Sequence, residues 1–325
     1  MSKRVLSGIR ATGQLHLGNY LGAVSGMLAL QDSSEYETLY MVADAHAITT
    51  PYDVNQLRRQ RREIIIDYLA AGLDPQKSIL FCQADIPYHF ELAFYFASVT
   101  TVAKMQHLPT FKEKVKQYPN FTSLALLNYP VLQAADILLY QGELVPVGID
   151  QEPHLEVARD IARKMNQDYG TNFPEPQRFA TKGEYIPSLT GEGKMSKSVA
   201  GSYILLTDDL DTIRKKVRSV PTATEVGGKM SRGVEVLFTL INFFAPEKHT
   251  AFLEKFAGGT LKYVELKDTV AQAIYQELEP FQAKRQEILS DPQYVDQIIA
   301  EGTEKALAIA QDTIQEVKQK IGLAS

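Results

Sequence analysis

Short apolar runs alternate with longer amphipathic stretches through the first half of the chain, the pattern of a parallel β-sheet with crossover helices. The runs at residues 4–9, 38–44, 78–83 and 144–148 are the strand candidates. Between the second and third, Val54, Leu57, Ile64, Ile65, Tyr68 and Leu69 recur near helical spacing in a charged background, and Gly72 supplies a C-terminal stop. The stretch 151–166 repeats the design: Leu155, Ala158, Ile161, Ala162 and Met165 make one face, and Glu156, Arg159, Asp160, Arg163 and Lys164 the other. The pattern predicts an α/β fold.

The character changes near residue 170, where Gly170, Pro174, Pro176, Gly183, Pro187, Gly191 and Gly193 punctuate a stretch without helical period, read as a mobile connector. Beyond it the pattern is all-helical. Thr207-Asp208-Asp209 caps a helix whose far end carries Arg214, Lys215, Lys216 and Arg218, matching both ends of the helix dipole without any need for RNA. Gly227-Gly228 and Gly233 are expected to break this region. Ser290-Asp291-Pro292 starts a long terminal helix with Val295, Ile298, Ile299, Ala306, Ile309, Ile314, Val317 and Ile321 on its apolar side. The expected organisation is a sheet domain over 1–190, rejoined by the terminal helix 293–325, and a helical domain over 191–292.

Composition narrows the class. A chain of 325 residues with 45% hydrophobic content can bury a large core and hold two domains. Lys+Arg of 34 against Asp+Glu of 39, a formal net charge of −5, confines any nucleic-acid surface to a local patch. The single cysteine, Cys82, lies in an apolar run without a disulfide partner or spaced co-ligands for zinc. No apolar run approaches the roughly 20 residues of a membrane span, and the N-terminus lacks a signal-peptide core, so the expected compartment is a reducing cytoplasm.

Two segments carry candidate chemistry. Residues 7–20 place Gly8, Gly13 and Gly18 around His16-Leu17-Gly18-Asn19, as a strand-to-helix turn needs if backbone is to approach a nucleotide. The bland alternative is a turn with a helix-capping Asn. Far downstream, Lys194-Met195-Ser196-Lys197-Ser198 sits between Gly191/Gly193 and Gly201. Alone it reads as a solvated lysine pair, but after the upstream turn it reads as a clamp that neutralises departing pyrophosphate, a task of positioning and charge. Together the two segments suggest adenylation by ATP.

The ordered pair resembles the His-x-Gly-His and Lys-Met-Ser-Lys-Ser signatures of class I aminoacyl-tRNA synthetases, here with Asn19 for the final His. Finer matches, among them Asp44-Ala45-His46-Ala47-Ile48-Thr49, Phe111-Lys112-Glu113-Lys114 and the stretches 129–140 and 145–166, resemble the bacterial tryptophanyl family nearly end to end. That resemblance implies a Rossmann-type parallel sheet catalytic domain with a smaller all-helical domain that reads the tRNA anticodon. It implies activation of L-tryptophan by ATP, then transfer to tRNA(Trp), by a homodimer to which the apolar stretch 121–132 contributes. It further implies catalytic roles for His16, Asn19, Lys114, Lys194 and Lys197, and ATP contacts from Arg10, Thr12, Gly18, Asn19, Gly148, Asp150, Lys194, Met195, Ser196 and Lys197. The tryptophan pocket would comprise Leu6, Gly8, His46, Tyr129, Gln133, Asp136, Val145, Val147 and Gln151. Asp136 would accept the indole N–H, while Tyr129 and Gln151 would hold the substrate ammonium and carboxylate. Mg²⁺ is expected with ATP, held mainly by its phosphates, and no protein-bound metal is expected, since His89, His107 and His154 have no compact ligand spacing.

The sister tyrosyl family is the nearest rival, because a phenol could also donate to Asp136 and because Gln133 matches its pattern. Leu6 stands where that family places a tyrosine, which leaves a substrate hydroxyl without its second partner. Ile149 also replaces the usual Glu of the tryptophanyl pattern. A non-charging, tryptophan-binding paralogue is the other alternative.

Overall fold

The computed structural model describes residues 3–181, 183, 185–197, 199–222 and 229–324; Ser198 and the pair Gly227-Gly228 lie outside the described residues. The described residues form five strands: β1 (Lys3–Arg10), β2 (Tyr36–Ala43), β3 (Ser78–Cys82), β4 (Leu144–Pro146) and β5 (Gln177–Phe179). The helices in chain order are α1 (Leu17–Asn19), continued by a π-turn at Tyr20–Val24, α2 (Ser25–Gln31), α3 (Val54–Ala70), α4 (Tyr88–Ser98), α5 (Val102–His107), α6 (Pro109–Gln117) and α7 (Leu124–Leu139). They continue with α8 (Glu152–Tyr169), α9 (Leu210–Arg218), α10 (Arg232–Phe244), α11 (Pro246–Ala257), α12 (Tyr263–Leu289) and α13 (Pro292–Lys320). None is long and apolar enough to cross a membrane.

The chain forms two compact units, one of residues 1–13, 23–181 and 288–325, the other of residues 14–22 and 182–287. In the first, all strand pairs are parallel in the order β3-β2-β1-β4-β5, with β1 and β2 in register from Lys3↔Tyr36 to Arg10↔Ala43. The strands that alternation cannot resolve are runs such as Leu39, Tyr40, Met41 and Val42, buried on both faces as a helix-covered parallel sheet requires. Order reverses between β1 and β4, so the crevice at the ends of these strands, beside Arg10 and Val147, is where such sheets collect ligands. The expected strands are present, and β5 is an addition. Three residues in a proline-punctuated stretch are too few to alternate, and β5 exists because β4 offers it an edge from Leu144↔Gln177 to Pro146↔Phe179.

Local chemistry sets the helix ends. Asp53 accepts from Gln56 N–H at 2.7 Å at the start of α3, a cap that contributes about 1 kcal/mol. Asp291 caps α13, with Pro292 in its first turn. This helix packs on β3 so closely that a Cβ on Gly302 would lie 1.8 Å from the Leu80 carbonyl oxygen. Tyr68, fully buried on α3, bridges two strands: its hydroxyl donates to Met41 O and accepts from Ile9 N–H, both at 3.0 Å.

The second unit carries α9, α10, α11 and most of α12. Asp209 caps α9 through Thr212 N–H, and in its last turn Lys216 meets Asp208 and Arg218 meets Asp268. Gly233 does not break this region as expected; it lies in the first turn of α10, where a Cβ would meet Pro221 O at 1.8 Å. That glycine serves a close approach rather than a bend.

Candidate active site

In the sheet unit, Asp136 on α7 is fully buried at the centre of a polar network. Its Oδ1 accepts from Gln83 Nε2 and His89 Nδ1, and its Oδ2 from His46 Nε2, each at 2.7 Å. Burial by itself would raise this carboxyl, but His46 and His89 outweigh it and hold the group down to about 2. His89, donating through Nδ1, is left to accept the Tyr140 hydroxyl at Nε2, 2.9 Å away. A carboxylate has about four acceptor positions, and three are filled; the remaining one is on Oδ2. In the same unit Leu6 and Val145 belong to the apolar core at 1% and 3% exposure, and Val147 packs partly buried against it.

His46 is placed by the 3₁₀ turn Ala45–Thr49 that follows β2, which Asp44 stabilises by accepting from Ala45 and Ala84 N–H. Gly8 faces β2, where a Cβ would lie 2.7 Å from Met41 Cγ, so strand packing alone requires glycine there. Gln133 is half-buried on α7, three residues before Asp136.

A second cluster gathers at the start of α8. His154, 2% exposed, has Nε2 at 2.9 Å from both the Tyr129 and Thr110 hydroxyls and Nδ1 at 3.0 Å from Gln151 Oε1. Gln151 Nε2 donates to Asp150 Oδ2 at 2.9 Å. Gly148 precedes the short turn Ile149–Gln151 that carries both residues. Arg10, at the end of β1, donates to His46 O and Thr50 Oγ1, while its Nε has no partner among the described residues. Lys114 on α6 has its pKa lowered by burial and by the Arg10 charge. Two cations near one another are suited to an anion. Thr12 follows in the turn after β1, its N–H donating to Arg10 O.

The helical unit brings the two signature segments together. Residues 15–17 pair with 204–206 through Leu17 N–H to Ile204 O and Leu206 N–H to Leu15 O, both at 3.0 Å. His16 lies over Gly18, where a Cβ would come within 2.9 Å of its ring; Asn19 Oδ1 accepts from the His16 N–H. The His16 ring is pushed down to about 4, first by burial and then by the charges of Lys197 and Lys194, and its Nδ1 has no partner among the described residues. It is therefore neutral near pH 7. Residues 186–188 pair with 193–195 as a tight hairpin whose turn uses positive φ at Gly191 (84°) and Gly193 (70°). Met195 is buried near Gly18, Lys194 is exposed, and Lys197 Nζ reaches Gln14 O at 3.0 Å. Ser202, fully buried, holds Ser196 from both sides, accepting from its N–H and donating to its carbonyl.

Gln83, His89, Tyr140, His154 and Ser202 were not among the expected site residues. His89 and His154 drew notice only for metal spacing, and spacing is blind to hydrogen-bond partners from other segments. The available signal was weak: Gln83 closes the otherwise apolar run 78–83, and His154 adjoins Leu155 at the start of the apolar face of 151–166. Among the described residues, no group of three or more His, Cys, Asp or Glu could hold a metal ion.

The family model for tRNA synthetases class I (W and Y) matches residues 2–279, and the chain belongs to that family. Proteins named tryptophan–tRNA ligase are its near relatives: that of Treponema pallidum is 38% identical over 99% of this chain and 97% of the relative, and that of Helicobacter pylori 39% over 99% of each. Among solved structures, tryptophanyl-tRNA synthetase from Mycoplasma pneumoniae superposes with a TM-score of 0.87 at 32% identity, covering 100% of this chain and 99% of that one. The enzyme from Campylobacter jejuni, complexed with ADP and tryptophan, gives 0.85 at 30% identity over 98% and 100%.

Proposed function

We propose that this chain is a tryptophan–tRNA ligase: it activates L-tryptophan with ATP, releases pyrophosphate, and transfers the tryptophanyl group to tRNA(Trp). The observation that carries the choice of amino acid is the Asp136 carboxylate, kept anionic and fully buried, with one acceptor position left on Oδ2. Indole is a donor-only group on a large apolar ring, and an unpaired donor buried there would cost about 1–3 kcal/mol. A phenol needs a second partner that Leu6 does not provide. The full-length likeness to tryptophan–tRNA ligases supports the same choice.

In this reading Asp136 accepts the indole N–H, and Leu6, Gly8, Gln133, Val145 and Val147 shape the walls. Tyr129 holds the ammonium and Gln151 the carboxylate, which attacks the α-phosphate directly, so no protein nucleophile is required. Arg10, Thr12, Gly148 and Asp150 contact ATP, together with the His16, Gly18 and Asn19 turn and the Met195 and Ser196 backbone. Lys114, Lys194 and Lys197 neutralise pyrophosphate as it departs. Mg²⁺ arrives with ATP on its phosphates. The helices between 210 and 287 read the tRNA anticodon. The protein is proposed to be cytoplasmic and a homodimer, and the exposed apolar side chains Phe94, Val102, Phe121 and Leu124 support an interface. The test is tryptophan-dependent ATP–pyrophosphate exchange followed by charging of tRNA(Trp). Exchange driven by tyrosine, or tryptophan binding without exchange, overturns the assignment.

A further inference from the structure

His154 is a buried imidazole that the proposed reaction does not use, yet it touches both side chains assigned to the substrate's charged groups. Its protonation pattern follows from a chain of donors and acceptors. Asp150, as a carboxylate, only accepts, so the Gln151 group facing it at 2.9 Å is the amide nitrogen. Gln151 therefore turns its carbonyl oxygen to His154, and Nδ1, 3.0 Å away, must carry a proton to bond it. Burial holds the His154 ring down to about 4, so it is neutral near pH 7 with one proton only. Nε2 is then a bare acceptor, and the Tyr129 hydroxyl at 2.9 Å can donate to it. The Thr110 hydroxyl lies equally close to Nε2, at 2.9 Å, and as a freely rotating donor and acceptor it can leave the single Nε2 lone pair to the phenol.

We propose that His154 is a positioning residue that gives the two clamps opposite polarity, making Gln151 a donor toward the substrate carboxylate and Tyr129 an acceptor toward its ammonium. With its proton committed to Nε2, the Tyr129 oxygen keeps lone-pair capacity for an N–H⁺ group. With its oxygen committed to Nδ1–H, Gln151 keeps its second amide N–H for a carboxylate. One neutral ring thus matches a zwitterion at both ends. The inference rests on the proposed roles of Tyr129 and Gln151 in binding an α-amino acid.

The test uses the whole enzyme and three ligands: tryptophan, tryptamine, which lacks the carboxylate, and indole-3-propionate, which lacks the ammonium. Both analogues are measured as inhibitors of ATP–pyrophosphate exchange. His154→Ala should raise the tryptophan KM about 10- to 100-fold, the scale of a hydrogen bond to a charged group, with kcat and the ATP KM within about threefold. In His154→Asn the amide can replace Nδ1–H but does not reach Tyr129. That variant should keep inhibition by indole-3-propionate within about threefold of wild type while weakening tryptamine by about tenfold or more. Tyr129→Phe, which leaves the imidazole in place, should lose tryptamine alone. Equal changes for the two analogues in His154→Asn, or no change in either, overturn the polarity role, as does a loss that tracks thermal stability and falls equally on ATP. If Tyr129→Phe and Gln151→Ala themselves leave tryptophan affinity unchanged, the site reading fails. If they weaken it and the His154 variants do not, only this inference fails.

Discussion

In the sheet unit the charged group at the candidate site is sealed: Asp136 is fully buried, three donors hold its two oxygens, and it stays anionic against the cost of burial. In the helical unit the charges stand on a hairpin bent at Gly191 and Gly193, with Lys194 exposed and Lys197 half-buried. The difference fits two tasks. In the proposed reading a neutral indole is selected by an acceptor fixed before it arrives, because a partner that must reorient forfeits selectivity. Pyrophosphate acquires charge during the reaction and leaves, which suits solvated cations whose interaction can change with it.

The largest effect that would break this contrast is in packing. Gly302→Ala puts a Cβ 1.8 Å from the Leu80 carbonyl oxygen and should destabilise the sheet unit by about 4 kcal/mol or more. Gly193→Ala, at φ 70° with nothing within 4 Å, should cost about 1 kcal/mol. Denaturant melts that rank the two equally would remove the distinction between a packed helix contact and an open hairpin turn. Next, Lys197→Ala should slow adenylate formation by about 10²- to 10³-fold while tryptophan affinity stays within about threefold. Similar losses in both would refute its role in the transition state.

Asp136→Asn should have the reverse signature, a rise in tryptophan KM of about 10- to 100-fold with the ATP KM unchanged. An unaltered tryptophan KM sinks the indole assignment. The smallest effect is in pH dependence. The His16 value in the fold, about 4, lies below its ordinary 6.5, so between them the unfolded chain binds the extra proton. Stability from the neutral ring is complete above pH 6.5 and is lost as pH falls toward 4. His16→Gln should flatten that part of the stability profile by about 1 kcal/mol, read as the wild-type-minus-variant difference in melts at pH 4.5 and 7. A difference that does not change with pH would show that His16 is not held neutral.

Much of this was legible beforehand for reasons that particular residues explain. Leu39 and Leu80 lie in apolar runs because both faces of their strands are covered, and helix starts were marked by Asp209 and Asp291, whose side chains bond the nearby backbone. Strand β5 was not, because its three residues depend on the edge of β4. Gly233 was misread as a break because a glycine that admits a neighbouring backbone looks, in sequence, like one that ends a helix.

The sequence by itself determined the class of sheet, the helical second half, and the pairing of a nucleotide turn with a lysine loop, since each is written in local spacing and residue type. Which atoms donate and which accept was decided only by tertiary structure. Gln83, His89 and Asp136 come from separate segments, as do Tyr129 and His154, and the direction of a hydrogen bond exists only once both partners are in place.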